Sequence, residues 1–253
     1  MSLDLSPAAA PAARGRRIGS HARMEASLLL RNGEQLLLAL VIPVALLVAG
    51  LVWGGRVGLD PQAFPASVLA LAVWSTSFTS LAINTGFERR YGVFERLAAT
   101  PLTRGDLIGG KALATAAVAA GQLVLLAAVA LALGWRPQPT LAGTVPALVG
   151  VVLAMLAFAG VALALAGRVS AETTLAVANL IYLAVAAGGA LVLPLSAYPA
   201  ALRPLLAALP SGALGELLRG WASGAAPLWP LAVLAAWTVV LLFLARKAFR
   251  WTS

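Results

Sequence analysis

Long apolar runs alternate with short polar ones along this chain. A membrane-crossing helix needs about 20 predominantly apolar residues. Six runs meet or approach that length: Leu36 to Trp53, Gln62 to Ile83, Leu107 to Trp135, Leu141 to Gly167, Thr173 to Leu193 and Leu228 to Ala245. Gly and Pro mark the turns at Gly54–Pro61 and Arg136–Thr140, and Arg168–Glu172 is a short polar turn. Thr103 with Asp106 three residues on reads as a capping box opening the third run. The stretch Pro194–Pro227 departs from this rhythm. Its apolar pieces, Ala200–Leu209 and Ala213–Trp221, flank Pro210-Ser211-Gly212, and each is too short to span. They form either a re-entrant helical hairpin packed against protein or a loop with two surface helices. The pattern therefore predicts an all-α polytopic membrane protein with six transmembrane helices.

Ahead of the first run, Arg23 to Gln35 reads as an amphipathic surface helix, with Arg23, Ser27, Arg31 and Glu34 on one face. Residues 1–22, rich in Ala, Pro, Ser and Arg, read as a disordered tail, and residues 23–253 as a single transmembrane domain.

Composition agrees: 61% of the residues are hydrophobic and 11% charged, against about 25% charged in soluble domains. The net charge of +9 does not point to nucleic acid, because the positive residues gather at the ends of apolar runs. They are dense before the first span, between the second and third, and after the sixth (Arg246, Lys247, Arg250). By the positive-inside rule these segments, and both termini, are expected on the cytoplasmic side. The chain has no cysteine, which removes disulfides, thiolate catalysis and cysteine metal sites, and no metal site is expected. The single His21 reads as an ordinary surface residue.

Catalytic chemistry finds little support. Gly105, Gly110 and Lys111 satisfy G-x-x-x-x-G-K, but Ala112 follows where a phosphate loop needs Ser or Thr, and no strand precedes. Lys111 reads as a cytoplasmic anchor of the third helix. The spans hold no mid-membrane charge of the kind that marks a proton relay. Their polar residues are uncharged. Thr76, Ser80 and Asn84 recur at helical spacing in the second span, Asn179 and Tyr182 pair in the fifth, and Gln122 lies in the third. Such groups either join helices or line a substrate path.

The polar stretch from Phe87 to Lys111 cannot lie in hydrocarbon. Phe87, Tyr91, Phe94 and Leu97 fall on one helical face, and Glu88, Arg89, Glu95 and Arg96 lie off it. This predicts an amphipathic helix, weakened by Gly92 and stopped before Pro101. It is either a helix floating at the lipid interface or a docking element for a cytoplasmic partner.

The run Arg90-Tyr91-Gly92-Val93-Phe94-Glu95-Arg96-Leu97-Ala98-Ala99-Thr100-Pro101-Leu102, followed by Gly110-Lys111, resembles the signature of type-2 ABC exporter permeases. Arg31-Asn32-Gly33-Glu34-Gln35 and Pro210-Ser211-Gly212 look like the actinobacterial, drug-resistance-like members. The resemblance implies a bacterial cell-membrane subunit that exports a hydrophobic or amphiphilic, drug-like molecule by alternating access. A second permease subunit, identical or sister, is expected, with one separate ABC ATPase subunit docked on each. ATP and magnesium would sit on that partner, leaving this chain without cofactor or enzymatic activity. The two amphipathic helices would meet the ATPase through Arg23, Arg31, Glu34, Phe87, Glu88, Arg89, Arg90, Tyr91, Phe94, Glu95 and Arg96. The second and fifth spans of both subunits would line the path, with Thr76, Ser80, Asn84, Gln122, Asn179 and Tyr182 as its candidate residues. Rival cargoes are a lipid, a polysaccharide or haem. The rival class is a membrane assembly factor.

Overall fold

In the computed structural model, residues 12–31, 33–225 and 227–248 are described. Their regular structure is helical: α1 (Arg14–Arg31), α2 (Gly33–Trp53), α3 (Phe64–Trp74), α4 (Leu81–Arg90), α5 (Val93–Ala98), α6 (Arg104–Ala132), α7 (Leu141–Ala166), α8 (Ala171–Gly188), α9 (Arg203–Ala207), α10 (Pro210–Ala222) and α11 (Trp229–Ala248). Among the described residues five helical stretches are long and apolar enough to cross a membrane: Phe64–Arg90, Gly105–Ala132, Leu141–Ala166, Ala171–Gly188 and Trp229–Lys247. The first expected span, in α2, shows a shorter apolar stretch, Leu40–Arg56.

Several boundaries move. The N-terminal helix starts at Arg14, so residues 14–22 are not the tail that their composition suggested. The cause is tertiary. α1 lays His21, Ala22 and Glu25 against α6, and its first arginines reach a carboxylate there. Residues 1–11 and Arg250 lie outside the described residues.

The second span does not stop at Ile83. α3, a π-helical segment Ser75–Ser80 and α4 run as one helix to Arg90. No proline lies between Leu81 and Arg90, and Gly86, packed against Thr174, does not interrupt the helix. The break falls at Tyr91-Gly92, where Gly92 takes φ +65°, a conformation that glycine adopts without steric cost. The single amphipathic helix expected over Phe87–Leu97 is thus divided between the end of α4 and the short α5.

Span three opens on the capping box read from the sequence: Asp106 N–H donates to Thr103 Oγ1 at 3.2 Å and Thr103 N–H to Asp106 Oδ2 at 3.2 Å. The fifth span ends at Gly188 rather than Leu193. Beyond it Ala190 takes φ +53°.

Small residues set the packing. α7 turns Gly143, Ala147, Gly150, Ala154 and Ala157 inward at spacings of three and four, a seam that lets helices approach closely. At Gly160 an added Cβ would strike the backbone of Leu241, so α7 and α11 are in direct main-chain contact there. Thr238 Oγ1 donates to Leu153 O at 2.8 Å across the same seam. α10 buries most of its side chains against α3, α7 and α11. The broken segment before the last span therefore packs against protein, the condition under which such a segment is tolerated at membrane depth.

Candidate functional site: a polar joint between four helices

The central polar stretch folds back onto the N-terminal helix. Lys111, in the second turn of α6, is buried. Its Nζ donates to Glu25 of α1 at 3.0 and 3.1 Å and lies 2.5 Å from Glu88 Oε2 of α4. The same ammonium stands 5.8 Å from the centroid of Phe94 on α5, within range of a cation–π attraction. One turn earlier in α6, Asp106 accepts from Arg17 Nε at 2.9 Å and from Arg14 Nε at 3.2 Å. Two acidic and basic rows thus tie α1 to the start of α6, and Lys111 carries the tie on to α4 and α5.

His21 belongs to this joint and is not a surface residue. It is 3% exposed, and a side chain at Gly110 would collide with its ring. Neither ring nitrogen makes a hydrogen bond, although Nε2 lies 3.4 Å from Glu25 Oε1. Burial, opposed by Glu25 and reinforced by Lys111, holds its pKa below the ordinary 6.5.

The structure redistributes the expected docking residues. Phe94, expected among the residues that meet the ATPase, is 3% exposed and packs inside the chain. The reason is the Gly92 break, which turns α5 back so that Phe94 lies under Lys111. Glu88 is consumed by Lys111. Arg89 donates to Val169 O at 2.6 Å in the turn between α7 and α8, and Arg90 pairs with Glu172 in the first turn of α8. Tyr91, stacked on Phe87 at 6.1 Å, is 64% exposed. Glu95 and Arg96 are exposed, and Arg96 Nη2 donates to Tyr91 O at 2.9 Å. On α1, Arg23 and Arg31 are exposed, and the side chain of Glu34 lies outside those described. Gly105 to Lys111 all lie within α6, so the G-x-x-x-x-G-K match is helix, not a phosphate loop.

The residues of the expected path do not form one surface within the chain. Thr76, Ser80 and Asn84 line a cavity of about 20 Å³ shared with Glu25, Lys111 and Thr115. That space suits a single water. Thr76 Oγ1 donates to Gln122 Oε1 at 2.6 Å, both buried, so this pair joins α6 to the π segment. Asn179 is exposed and Tyr182 half-buried on α8. Sequence reasoning passed over Glu25, and it missed Arg219 at the other end of the bundle. Arg219 is buried. Its Nη1 donates to Ser67 Oγ and Leu191 O at 2.9 Å, and its Nη2 to Ala190 O at 3.0 Å and Glu216 Oε1 at 2.9 Å. Its hint in the sequence was an arginine within the apolar piece Ala213–Trp221.

A bundle of long apolar helices, with a charged inter-span segment braced by its own N-terminal helix, defines an integral membrane protein. The chain belongs to the ABC-2 family of transporters: the model of the ABC-2 family transporter protein matches residues 56–247. Membership makes it the permease component of an ABC transporter, which works with an ABC ATPase subunit. No curated protein matches the chain closely enough to count as a relative.

Proposed function

We propose that this chain is the membrane subunit of an ATP-driven exporter moving a hydrophobic or amphiphilic, drug-like molecule outward. In this reading α2 completes six spans, both termini are cytoplasmic, and a second permease subunit completes the path. The chain hydrolyses nothing; ATP and magnesium sit on the separate ATPase. The observation that carries the reading is the joint at Lys111. It links α1, the end of the second span, α5 and the start of the third span through buried charge pairs. A push on any of these would reach two spans at once.

The docking surface is then Tyr91, Glu95 and Arg96, with Arg89 and Arg90 behind them, while Phe94 and Glu88 transmit from inside. The path is assigned to the exposed face of α8, where Asn179 would cost energy against lipid but not against cargo or a second subunit. Its neutral polar groups suit an amphiphile. The test is co-purification and transport. Tyr91→Ala with Arg96→Glu should leave the chain folded and lose the ATPase, since an exposed aromatic at an interface centre contributes about 2 kcal/mol or more. Wild-type assembly and ATP-dependent uptake into inverted vesicles by that variant would refute the docking surface.

A further inference from the structure

Between α1, α2 and α6 runs an apolar groove of about 290 Å³. Ala26 and Leu30 of α1 form one wall, Leu40 of α2 the second, and Val118, Gln122 and Leu125 of α6 the third. Gln122, the polar residue among these, is occupied by Thr76 behind it. Of its walls, α6 is long and apolar enough to cross a membrane, and α2 carries the shorter apolar stretch Leu40–Arg56. On α1, Arg23 stands at i, i+3 and i+7 from Ala26 and Leu30, so it shares their face. Arg31 follows one residue after Leu30, and both arginines are exposed with no ion pair among the described side chains. Of the other charges of α1, Arg14 and Arg17 are paired with Asp106 and Glu25 with Lys111, while Arg16 is also exposed but lies two turns before Arg23, away from the groove.

We propose that this groove seats an acyl chain of an anionic phospholipid, with its phosphate held by Arg23 and Arg31. The chemistry of the groove argues for it. An apolar slot in a membrane flank takes a hydrocarbon chain, and a basic rim beside it selects a negative headgroup over a zwitterionic one. Arginine suits this task because its planar guanidinium binds phosphate in a bidentate way. The occupant braces α1 against α2 and α6, and α1 in turn holds Lys111 through Glu25. Anionic lipid thereby steadies the joint. The inference rests on membrane embedding and not on the ATPase assignment, so either can fail alone.

Thermal unfolding of the purified full chain in mild detergent, titrated with phosphatidylglycerol, phosphatidylcholine of the same chains or inorganic phosphate, tests it. Phosphatidylglycerol is expected to stabilise at lower concentration than phosphatidylcholine, by about fivefold for each arginine engaged, and phosphate to do nothing. Arg23→Gln with Arg31→Gln should abolish that preference while leaving the weaker phosphatidylcholine effect. Gly121→Leu should weaken both lipids by filling the slot; a Cβ there meets nothing within 4 Å, so the fold accommodates it. Equal response to the two lipids, a preference that survives the double arginine variant, or binding that survives Gly121→Leu overturns the proposal. Stabilisation by phosphate alone would make the site a free-anion site instead. Protection of both arginines from phenylglyoxal by the ATPase, but not by phosphatidylglycerol, would make the stripe a protein contact.

Discussion

The two ends of the second span are both fastened by buried charge, and they are fastened differently. Ser67 and Glu88 stand about 32 Å apart along a helix of 1.5 Å rise per residue, close to the thickness of a hydrocarbon core, about 30 Å. At the Glu88 end the buried charges pair side chain with side chain across helices: Glu25, Lys111 and Glu88, with Arg14, Arg17 and Asp106 beside them. At the Ser67 end one guanidinium, Arg219, holds main-chain carbonyls of Ala190 and Leu191 as well as Ser67 and Glu216. Side-chain pairs between separate helices can change partners as the helices shift. A guanidinium on carbonyls cannot let go without leaving them unpaired. One end is thus suited to be moved by a partner, and the other to keep the broken segment before the last span in place.

The largest effect is expected at Lys111. Lys111→Met leaves Glu25 and Glu88 facing each other in a buried site. Removing one partner of a buried pair costs about 3–5 kcal/mol, read as a loss of unfolding free energy in detergent. The triple variant with Glu25→Gln and Glu88→Gln removes the stranded charge and should recover most of the loss. If Lys111→Met is as stable as wild type, the joint is solvated and the contrast between the ends collapses.

Arg219 comes next. Arg219→Leu removes the guanidinium donor from two carbonyls and a hydroxyl and leaves Glu216 with the main-chain N–H of Leu195, at a cost of about 3 kcal/mol. Arg219→Lys should rescue little, because a point-like ammonium cannot serve acceptors spread over a planar fork. The sharper readout is local: hydrogen exchange at residues 189–198 should accelerate more than exchange in α4 and α5. Equal acceleration at both ends would show that Arg219 holds the whole bundle and not one end of it.

These two sites were not equally legible in the sequence. Apolar run lengths located the spans, because hydrocarbon thickness fixes how many apolar residues a helix needs. The cap at Thr103 and Asp106 was readable because its bonds span three residues. The joint was not readable. Glu25 and Lys111 are 86 residues apart, and no local rule links them. Phe94 misled for a related reason: its helical face was correct, but the turn at Gly92 decides what that face meets, and the turn points it at Lys111. Arg219 gave no local sign of its role, because an arginine in a short apolar piece looks like an interruption. Its partners come from α3 and from the segment just after α8, which the sequence holds far apart.

The smallest expected effect sharpens the movable end. His21 is buried between α1 and α6 against Gly110, with Glu25 and Lys111 as its charged neighbours. Burial lowers its pKa from 6.5, so the folded chain binds its proton less readily than the unfolded chain. Stability from this group is therefore fully present above about pH 6.5 and is lost as the pH falls through the window between the two pKa values. Wild type should lose stability between pH 7 and pH 5, and His21→Phe, which keeps a ring against Gly110, should flatten that part of the profile. Glu25 and other carboxylates still titrate in the variant, so the difference between the two profiles isolates the imidazole. The loss should be concentrated in the contact of α1 with α6, read as faster hydrogen exchange in α1 at pH 5 than at pH 7 after correction for intrinsic rates. If His21→Phe follows the wild-type profile, His21 stays out of the joint's proton balance, and the acid sensitivity of this end rests on its carboxylates alone.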